Sequence, residues 1–313
     1  MEALVIRSTG SDYVVLPLVA GHIQEENPIP CKLKGNLRLR GLRSTSPVVV
    51  GDHVEVELTE GETAFITDIK DRRNHIARKS INLSKHTHIL AANVDASILV
   101  VTLYRPQTST TFIDRFLASS EAYNVPVILV FNKIDQLNET EQRELDAFIM
   151  QYQSIGYTCV CVSALQGTGL SELMPHMTGK ISLLSGHSGV GKSTLLNQLI
   201  PTAQQKTSAI SEVHNSGLHT TTLSEMFALP QGGYLIDTPG IKGFGTFDFA
   251  DGEVGHYFPE MFRIARDCRF RNCTHRDEPG CAVLRALDEG RLAASRYASY
   301  LSILSDNTAS RYR

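Results

Sequence analysis

The chain has 313 residues, 42% of them apolar, and a formal net charge of -3. This length is too great for one ordinary hydrophobic core, so two or three globular domains are expected. The small negative charge argues against a protein that coats nucleic acid over its whole surface, although basic patches can still be local. The N-terminus lacks a signal-peptide pattern, and no apolar run approaches the roughly 18 residues that span a bilayer. A cytoplasmic protein without a membrane segment is therefore expected.

Residues 1–72 contain short β-type runs separated by Gly, Asp and Pro, which predicts a small β-barrel. A run of five basic residues without an acidic one lies inside this region. Two interpretations of the run remain open: a strand edge guarded by charge, or a surface that contacts an RNA backbone. The five residues are Lys32, Lys34, Arg38, Arg40 and Arg43.

Residues 73–85 are rich in basic side chains and show no clear apolar period, so they are predicted to form a basic linker. The pattern of apolar residues then changes over residues 86–245. Continuous β-branched runs at residues 97–101 and 127–131 are typical of strands buried on both faces, and residues 112–123 between them read as a helix. This alternation predicts a parallel sheet wrapped by helices.

A glycine-rich loop follows the apolar run 181–184 and precedes a helical pattern, which are the two contexts that a phosphate-binding loop requires. Its backbone amides can curl around a β-phosphate, and Lys192 can reach the β and γ oxygens. The Ser193 hydroxyl can ligate Mg²⁺. The predicted phosphate-binding residues are Gly186, His187, Ser188, Gly189, Val190, Gly191, Lys192, Ser193 and Thr194.

A second motif, Asn132-Lys133-Ile134-Asp135, stands at the end of the strand predicted over residues 127–131. Ligands of open α/β sheets bind beyond the carboxyl ends of the strands. The Asp135 carboxylate can accept hydrogen bonds from both N1 and N2 of guanine, whereas adenine offers an acceptor at N1. The motif therefore favours GTP over ATP. Ser163-Ala164, after the next predicted strand, is a weaker candidate for contacting the guanine oxygen through a backbone amide.

Asp237-Thr238-Pro239-Gly240 closes another predicted strand and is typical of a switch near Mg²⁺ and the γ-phosphate. Asp237 and Gly240 are accordingly candidate catalytic residues. Thr221, with Thr220 next, is the candidate threonine that closes over Mg²⁺. Ile241 stands where Ras-like enzymes have a water-orienting glutamine, so we expect slow intrinsic hydrolysis that a macromolecular partner stimulates. His219 is the nearest polar residue that can orient the attacking water.

These motifs occur in an unusual order along the chain. The guanine-reading pair at residues 132–135 and 163–164 precedes the phosphate loop and the Asp237 switch, whereas a conventional GTPase has the reverse order. The order indicates a circularly permuted GTPase domain. Permutation leaves the segment after the Asp237 switch free to lead directly into another domain.

Three of the six cysteines cluster with a histidine in the pattern Cys268-x4-Cys273-x-His275-x5-Cys281. Three thiols and one imidazole suit a tetrahedral Zn²⁺ that has no open position for catalysis. Residues 246–313 are therefore predicted to form a zinc-binding, mainly helical domain with a break near Gly290. Arg269, Arg271 and Arg276 stand between the ligands, and Arg285, Arg291 and Arg296 are expected to be exposed on the helical part. Two interpretations of the domain remain open: a basic surface that contacts RNA, or a module that only packs around the metal.

The permuted order, the Leu218-His219-Thr220-Thr221-Thr222 segment, Asp-Thr-Pro-Gly and the cysteine pattern together resemble the RsgA (YjeQ/YloQ) family of circularly permuted GTPases. The resemblance covers nearly the whole chain. It implies an N-terminal OB-fold, a central GTPase domain and a C-terminal zinc domain. It also implies binding to the small (30S) ribosomal subunit and its 16S ribosomal RNA during late maturation, with GTP hydrolysis that the ribosome stimulates. A monomer using Zn²⁺ and Mg²⁺ is expected.

Two other functions fit part of the sequence. The first is an RNA-binding scaffold that senses guanine nucleotides and for which turnover is secondary. Single-turnover hydrolysis with and without small subunits separates the scaffold from the assembly GTPase. The second is a P-loop kinase acting on a small molecule, which leaves Asp135 and both switch motifs without a purpose.

Overall fold

The computed structural model describes residues 1–35, 37, 47–59, 64–79, 87–201, 224–237 and 252–311. Within these ranges the strands are β1 (Glu2–Ser8), β2 (Asp12–Val19), β3 (His22–Ile23), β4 (Ile29–Leu33), β5 (His53–Leu58), β6 (Ala64–Ile69), β7 (His75–Lys79), β8 (Thr87–Ala92), β9 (Ala96–Val101), β10 (Val127–Asn132), β11 (Thr158–Val162), β12 (Ile181–Ser185), β13 (Ser224–Ala228) and β14 (Tyr234–Asp237). The α-helices are α1 (Thr110–Ala122), α2 (Glu139–Ile155), α3 (Leu170–Leu173), α4 (Lys192–Leu199), α5 (Pro259–Ala265), α6 (Ala282–Asp288) and α7 (Ala294–Arg311). No helix within them is long and apolar enough to cross a membrane.

The N-terminal strands close into a five-stranded barrel. Around it β1 pairs with β2, β2 with β4, β4 with β6, β6 with β5, and β5 again with β1, and only the β4–β6 pairing is parallel. Alternate residues such as Val54 and Val56 point inward and are buried, as the period of a strand requires. The predicted N-terminal barrel is confirmed. Lys34 is exposed and pairs with Glu57 at 2.5 Å, while Arg38, Arg40 and Arg43 lie outside the described residues.

The segment predicted as a basic linker contains a paired strand. β7 lies within residues 73–85 and pairs antiparallel with β8. A bulge between Ile76 and Ala77 shifts the register, so two consecutive apolar residues are both buried. This breaks the period-two alternation by which a strand is recognised in a sequence, and it explains why β7 was not predicted.

The central domain is a sheet in the order β11-β10-β9-β12-β14-β13. The first five strands are parallel and β13 is antiparallel. β9 and β10 are buried along their whole length, which agrees with a sheet covered by helices on both faces. At its far edge β13 pairs with β1, through Arg7 opposite Glu225 and Ser8 opposite Ser224, so the sheet continues into the barrel.

The C-terminal region is mainly helical, as predicted, and its helices α5, α6 and α7 share an apolar core with part of α1. Phe258, Met261, Val283 and Ile303 are buried there. Gly290 has φ +70° and lies between α6 and α7, where the sequence predicts a break.

The prediction that Arg296 is exposed is wrong. Its side chain is 1% exposed and contacts two carboxylates, Asp114 of α1 at 2.7 Å and Glu260 of α5 at 2.6 Å. Its guanidinium also lies 4.5 Å from the centre of the Phe258 ring. Burial by itself lowers the pKa of Arg296, but Asp114 and Glu260 outweigh burial and raise it. Arg296 therefore stays charged inside the domain interface.

Candidate nucleotide and metal sites

The phosphate loop joins β12 to α4 through conformations that only glycine adopts without strain. Gly186 has φ +141°, and a Cβ there would stand 2.3 Å from the carbonyl oxygen of Val100. Gly191 has φ +95°, and a Cβ there would stand 2.3 Å from Nδ2 of Asn132. A side chain at either position would displace a neighbouring strand end. The two motif glycines therefore let the loop pack directly against β9 and β10.

Lys192 folds back over this loop. Its Nζ donates to the carbonyl oxygens of Gly186 at 2.7 Å and His187 at 2.6 Å. Burial lowers the pKa of Lys192, and the nearby Asp237 carboxylate opposes that effect. A desolvated ammonium held at the loop is suited to bind phosphate oxygens.

Asp237 ends β14 and lies opposite Leu184 of the phosphate-loop strand. Burial raises the pKa of this carboxyl group, and the charge of Lys192 opposes the rise. A carboxylate that burial has partly removed from water favours a bound cation, because the charge of the cation compensates for the lost water contacts. Ser193 and Thr194, at the start of α4, are exposed toward solvent.

Asn132 joins the predicted guanine-binding segment to the phosphate loop. This buried carboxamide donates from Nδ2 to the Val190 carbonyl oxygen at 2.7 Å and accepts at Oδ1 from the Ala164 amide at 2.9 Å. One side chain thus ties together β10, the phosphate loop and the Ser163-Ala164 segment. The Ala164 amide, predicted to contact guanine, is engaged by Asn132 in this structure.

Asp135 lies in a short 3₁₀ turn, Ile134–Gln136, directly after β10. Its side chain is half-buried and makes no hydrogen bond to another described residue. Lys133 has φ +66° and donates from Nζ to the carbonyl oxygen of Arg105 at 2.9 Å. Ser163 supports its own turn by accepting a hydrogen bond at Oγ from the Gln166 amide at 3.2 Å.

The other predicted catalytic residues, His219, Thr221 and Gly240, lie outside the described residues, as do Thr220 and Ile241. Their roles stay predictions.

Two neighbours of the phosphate loop were missed by the sequence analysis. Phe112 of α1 packs on His187, with ring centroids 3.5 Å apart, and burial followed by the charge of Lys192 lowers the pKa of that histidine. The segment Tyr104–Pro106 lies against the turn that is predicted to bind guanine. Neither neighbour belongs to a nucleotide-binding motif. The only signal in the sequence is the apolar period of α1, which indicates that Phe112 is partly buried.

Cys268, Cys273, His275 and Cys281 converge, and their ligand atoms all lie within 4.8 Å of one another. A tetrahedral zinc with Zn–S bonds of about 2.3 Å places its sulfurs about 3.8 Å apart and a nitrogen ligand about 3.6 Å from each sulfur. His275 Nδ1 lies 3.7 Å from Cys268 Sγ and 3.5 Å from Cys281 Sγ, and the two sulfurs are 4.0 Å apart. The cluster can therefore hold a metal ion.

Surrounding groups fix this cluster. The amides of Ala282 and Leu284 donate to the sulfurs of Cys268 at 3.3 Å and Cys281 at 3.4 Å, which stabilises charge on sulfur. Tyr297 donates to the His275 carbonyl oxygen at 2.7 Å. Burial raises the pKa of Glu278, but hydrogen bonds from the loop around Thr274 together outweigh burial and lower this pKa to about 2.

We expect Asn132→Asp to weaken GDP binding by about ten- to a hundredfold. The substitution removes the donor to Val190 and places a carboxylate oxygen against the carbonyl oxygen of that residue. Loss of this buried hydrogen bond costs about 1–3 kcal/mol. A titration with a fluorescent GDP analogue measures the effect. Asn27→Asp is the matched control, because Asn27 is an exposed residue of the N-terminal barrel, outside the GTPase domain. Equal affinities for the two variants would contradict the bracing role of Asn132.

Comparison with known proteins identifies the family of this chain. The model of the RsgA GTPase family matches residues 69–247, and that of the RsgA N-terminal domain matches residues 2–66. The small ribosomal subunit biogenesis GTPase RsgA 2 of Bacteroides thetaiotaomicron is 56% identical over 313 residues, which cover 100% of this chain and 99% of that protein. The crystal structure of YjeQ from Thermotoga maritima superposes with a TM-score of 0.77 at 33% identity over 98% of each chain. That of YloQ, a circularly permuted GTPase, has a TM-score of 0.75 at 27% identity over 98% of this chain and 95% of the other. This chain belongs to the RsgA GTPase family.

Proposed function

We propose that this protein binds the small (30S) ribosomal subunit during its late maturation and hydrolyses GTP to GDP and phosphate, with stimulation by the ribosome. The observation that carries the proposal is the Asn132 bridge, because it joins a guanine-reading turn to a phosphate loop in a permuted GTPase sheet. The name of the Bacteroides relative supports the choice of partner. GTP then acts as a timer, and its hydrolysis releases the protein from the subunit. This work takes place in the cytoplasm, and the protein acts as a monomer.

Each part of the nucleotide site has a proposed role. Lys133 and Asp135 bind guanine, and Ser163 and Ala164 border it. The loop 186–194 binds the phosphates. Ser193 and Thr221 ligate Mg²⁺, with Asp237 beside them. Gly240 senses the γ-phosphate and His219 orients the attacking water.

The barrel, proposed to span residues 1–72, and the C-terminal domain, proposed to span residues 246–313, both contact 16S ribosomal RNA. The GTPase domain lies between them at residues 86–245. Exposed arginines on the C-terminal domain support this assignment, since Arg269 stacks on Phe270 at 5.4 Å and Arg271 is exposed beside them. An exposed arginine and aromatic ring together suit contact with phosphates and unstacked bases.

The metal in the cysteine cluster is proposed to be one structural Zn²⁺. Cys268, Cys273, His275 and Cys281 supply all four positions of a tetrahedral site, so the ion has no open position for substrate. It would hold the loop before α6 in place rather than take part in hydrolysis.

We expect Cys273→Ser to lose the zinc and to unfold the C-terminal domain while GDP binding persists, because metal binding is coupled to folding of the segment that carries the ligands. Metal analysis of the purified protein, combined with limited proteolysis, measures both effects. Cys159→Ser is the control, since Cys159 lies on β11 away from the cluster. Wild-type protein that is folded but contains no zinc would overturn the assignment.

Small subunits are expected to raise the single-turnover GTPase rate by at least about tenfold, because a partner that orders the switch supplies what Ile241 cannot. The rate is measured with added small subunits, large subunits and free ribosomal RNA at one stated salt concentration, since phosphate contacts depend on salt. Large subunits and free RNA serve as controls. GTP binding without any stimulation by small subunits would favour the guanine-nucleotide-sensing scaffold instead.

A further inference from the structure

We propose that Arg105 is a positioning residue that holds the guanine-reading turn in its binding conformation. Arg105 lies in the loop between β9 and α1, outside every nucleotide-binding motif of the chain. The inference rests on the proposed binding of guanine by Lys133 and Asp135, and it adds a residue that fixes both of them.

Arg105 contacts the turn on both sides of Asp135. Lys133 precedes Asp135 in the chain, and its Nζ donates to the Arg105 carbonyl oxygen at 2.9 Å. Gln136 follows Asp135, and its carbonyl oxygen accepts a hydrogen bond from the Arg105 guanidinium at 2.7 Å. The backbone and the side chain of Arg105 therefore hold two residues that flank Asp135, whose carboxylate is proposed to read guanine.

The guanidinium is itself anchored on helix α2. It makes a bidentate ion pair with Glu141, with N–O distances of 3.0 and 2.7 Å. Glu141 is fixed in turn, because it forms a reciprocal capping box with Asn138 at the start of α2. Arg105 is 51% exposed whereas Glu141 is 15% exposed, so the acceptor is better shielded from water than the donor. The planar geometry of this pair requires arginine rather than lysine.

The same loop also meets the phosphate loop. A Cβ added to Gly189 would stand 3.4 Å from Cγ of Pro106, so the proline ring lies directly beside the glycine backbone. On the other side of Arg105, the Tyr104 hydroxyl donates to Glu144 of α2. Residues 104–106 thus connect α2, the guanine-reading turn and the phosphate loop.

This arrangement predicts an effect on nucleotide affinity rather than on chemistry. Without the guanidinium, the turn at residues 133–136 must be ordered when the nucleotide binds, and that cost reduces affinity for GDP and GTP alike. Arg105 is not among the residues proposed to bind the γ-phosphate or the attacking water. The rate at saturating GTP should therefore stay unchanged while KM rises.

The test compares Arg105→Ala, Arg105→Lys and Glu141→Gln in the full-length protein. Glutamine at position 141 retains the capping box but loses the charge that pairs with Arg105. We expect Arg105→Ala to bind a fluorescent GDP analogue about five- to tenfold more weakly, with kcat at saturating GTP within about twofold of wild type. Arg105→Lys should restore part of the affinity, and the double variant Arg105→Ala/Glu141→Gln should lose no more than Arg105→Ala alone.

Arg143→Ala is the matched control. Arg143 also lies on α2 and pairs with Glu139 at 3.8 Å, but these side chains are 80% and 93% exposed, and among the described residues neither is bonded to the nucleotide site. Arg105→Ala with the affinity of Arg143→Ala, or with reduced kcat and unchanged affinity, would overturn the inference. A wild-type protein that fails to bind GDP would instead overturn the proposed function, so the two failures are distinguishable.

Discussion

One buried charge lies at the centre of the contact between the C-terminal domain and the GTPase domain. The Arg296 guanidinium is enclosed by Asp114 of α1, Glu260 of α5 and the ring of Phe258. Tyr152 of α2 adds a hydrogen bond to Asp114 at 2.7 Å. Two helices of the GTPase domain and two of the C-terminal domain thus meet at a single cation. If one of these charged side chains is removed, its partners stay buried without an opposite charge, which strongly destabilises the contact.

Helix α1 connects this interface to the nucleotide site. Its first turn carries Phe112, which packs on His187 of the phosphate loop, and Asp114 follows two residues later. At the β13 end of the central sheet, β13 pairs with β1 of the barrel. The GTPase domain therefore contacts the barrel through strand β13 of its central sheet. It contacts the C-terminal domain through helices α1 and α2, which cover that sheet.

Local spacing in the sequence was enough to predict the barrel, the parallel sheet and the helical C-terminal region. The phosphate loop and the cysteine cluster depend on residues close together in the chain, so their patterns were visible without a structure. Arg296 was predicted to be exposed because its partner Asp114 is 182 residues away, and no helical period reveals such a partner. Strand β7 was missed because its bulge breaks the alternation. The bridging role of Asn132 was likewise invisible, since its partners become neighbours only when the sheet forms.

The most direct test of this account is the stability of Arg296→Met, measured by urea unfolding followed by circular dichroism. Loss of the guanidinium leaves Asp114 and Glu260 buried without a cation, so the C-terminal domain should be destabilised by about 3–5 kcal/mol. Arg291→Met is the reference, because its pair with Glu289 is about half exposed and should contribute less than about 1 kcal/mol. Equal unfolding midpoints for the two variants would contradict the claim that Arg296 holds the C-terminal domain on the GTPase domain.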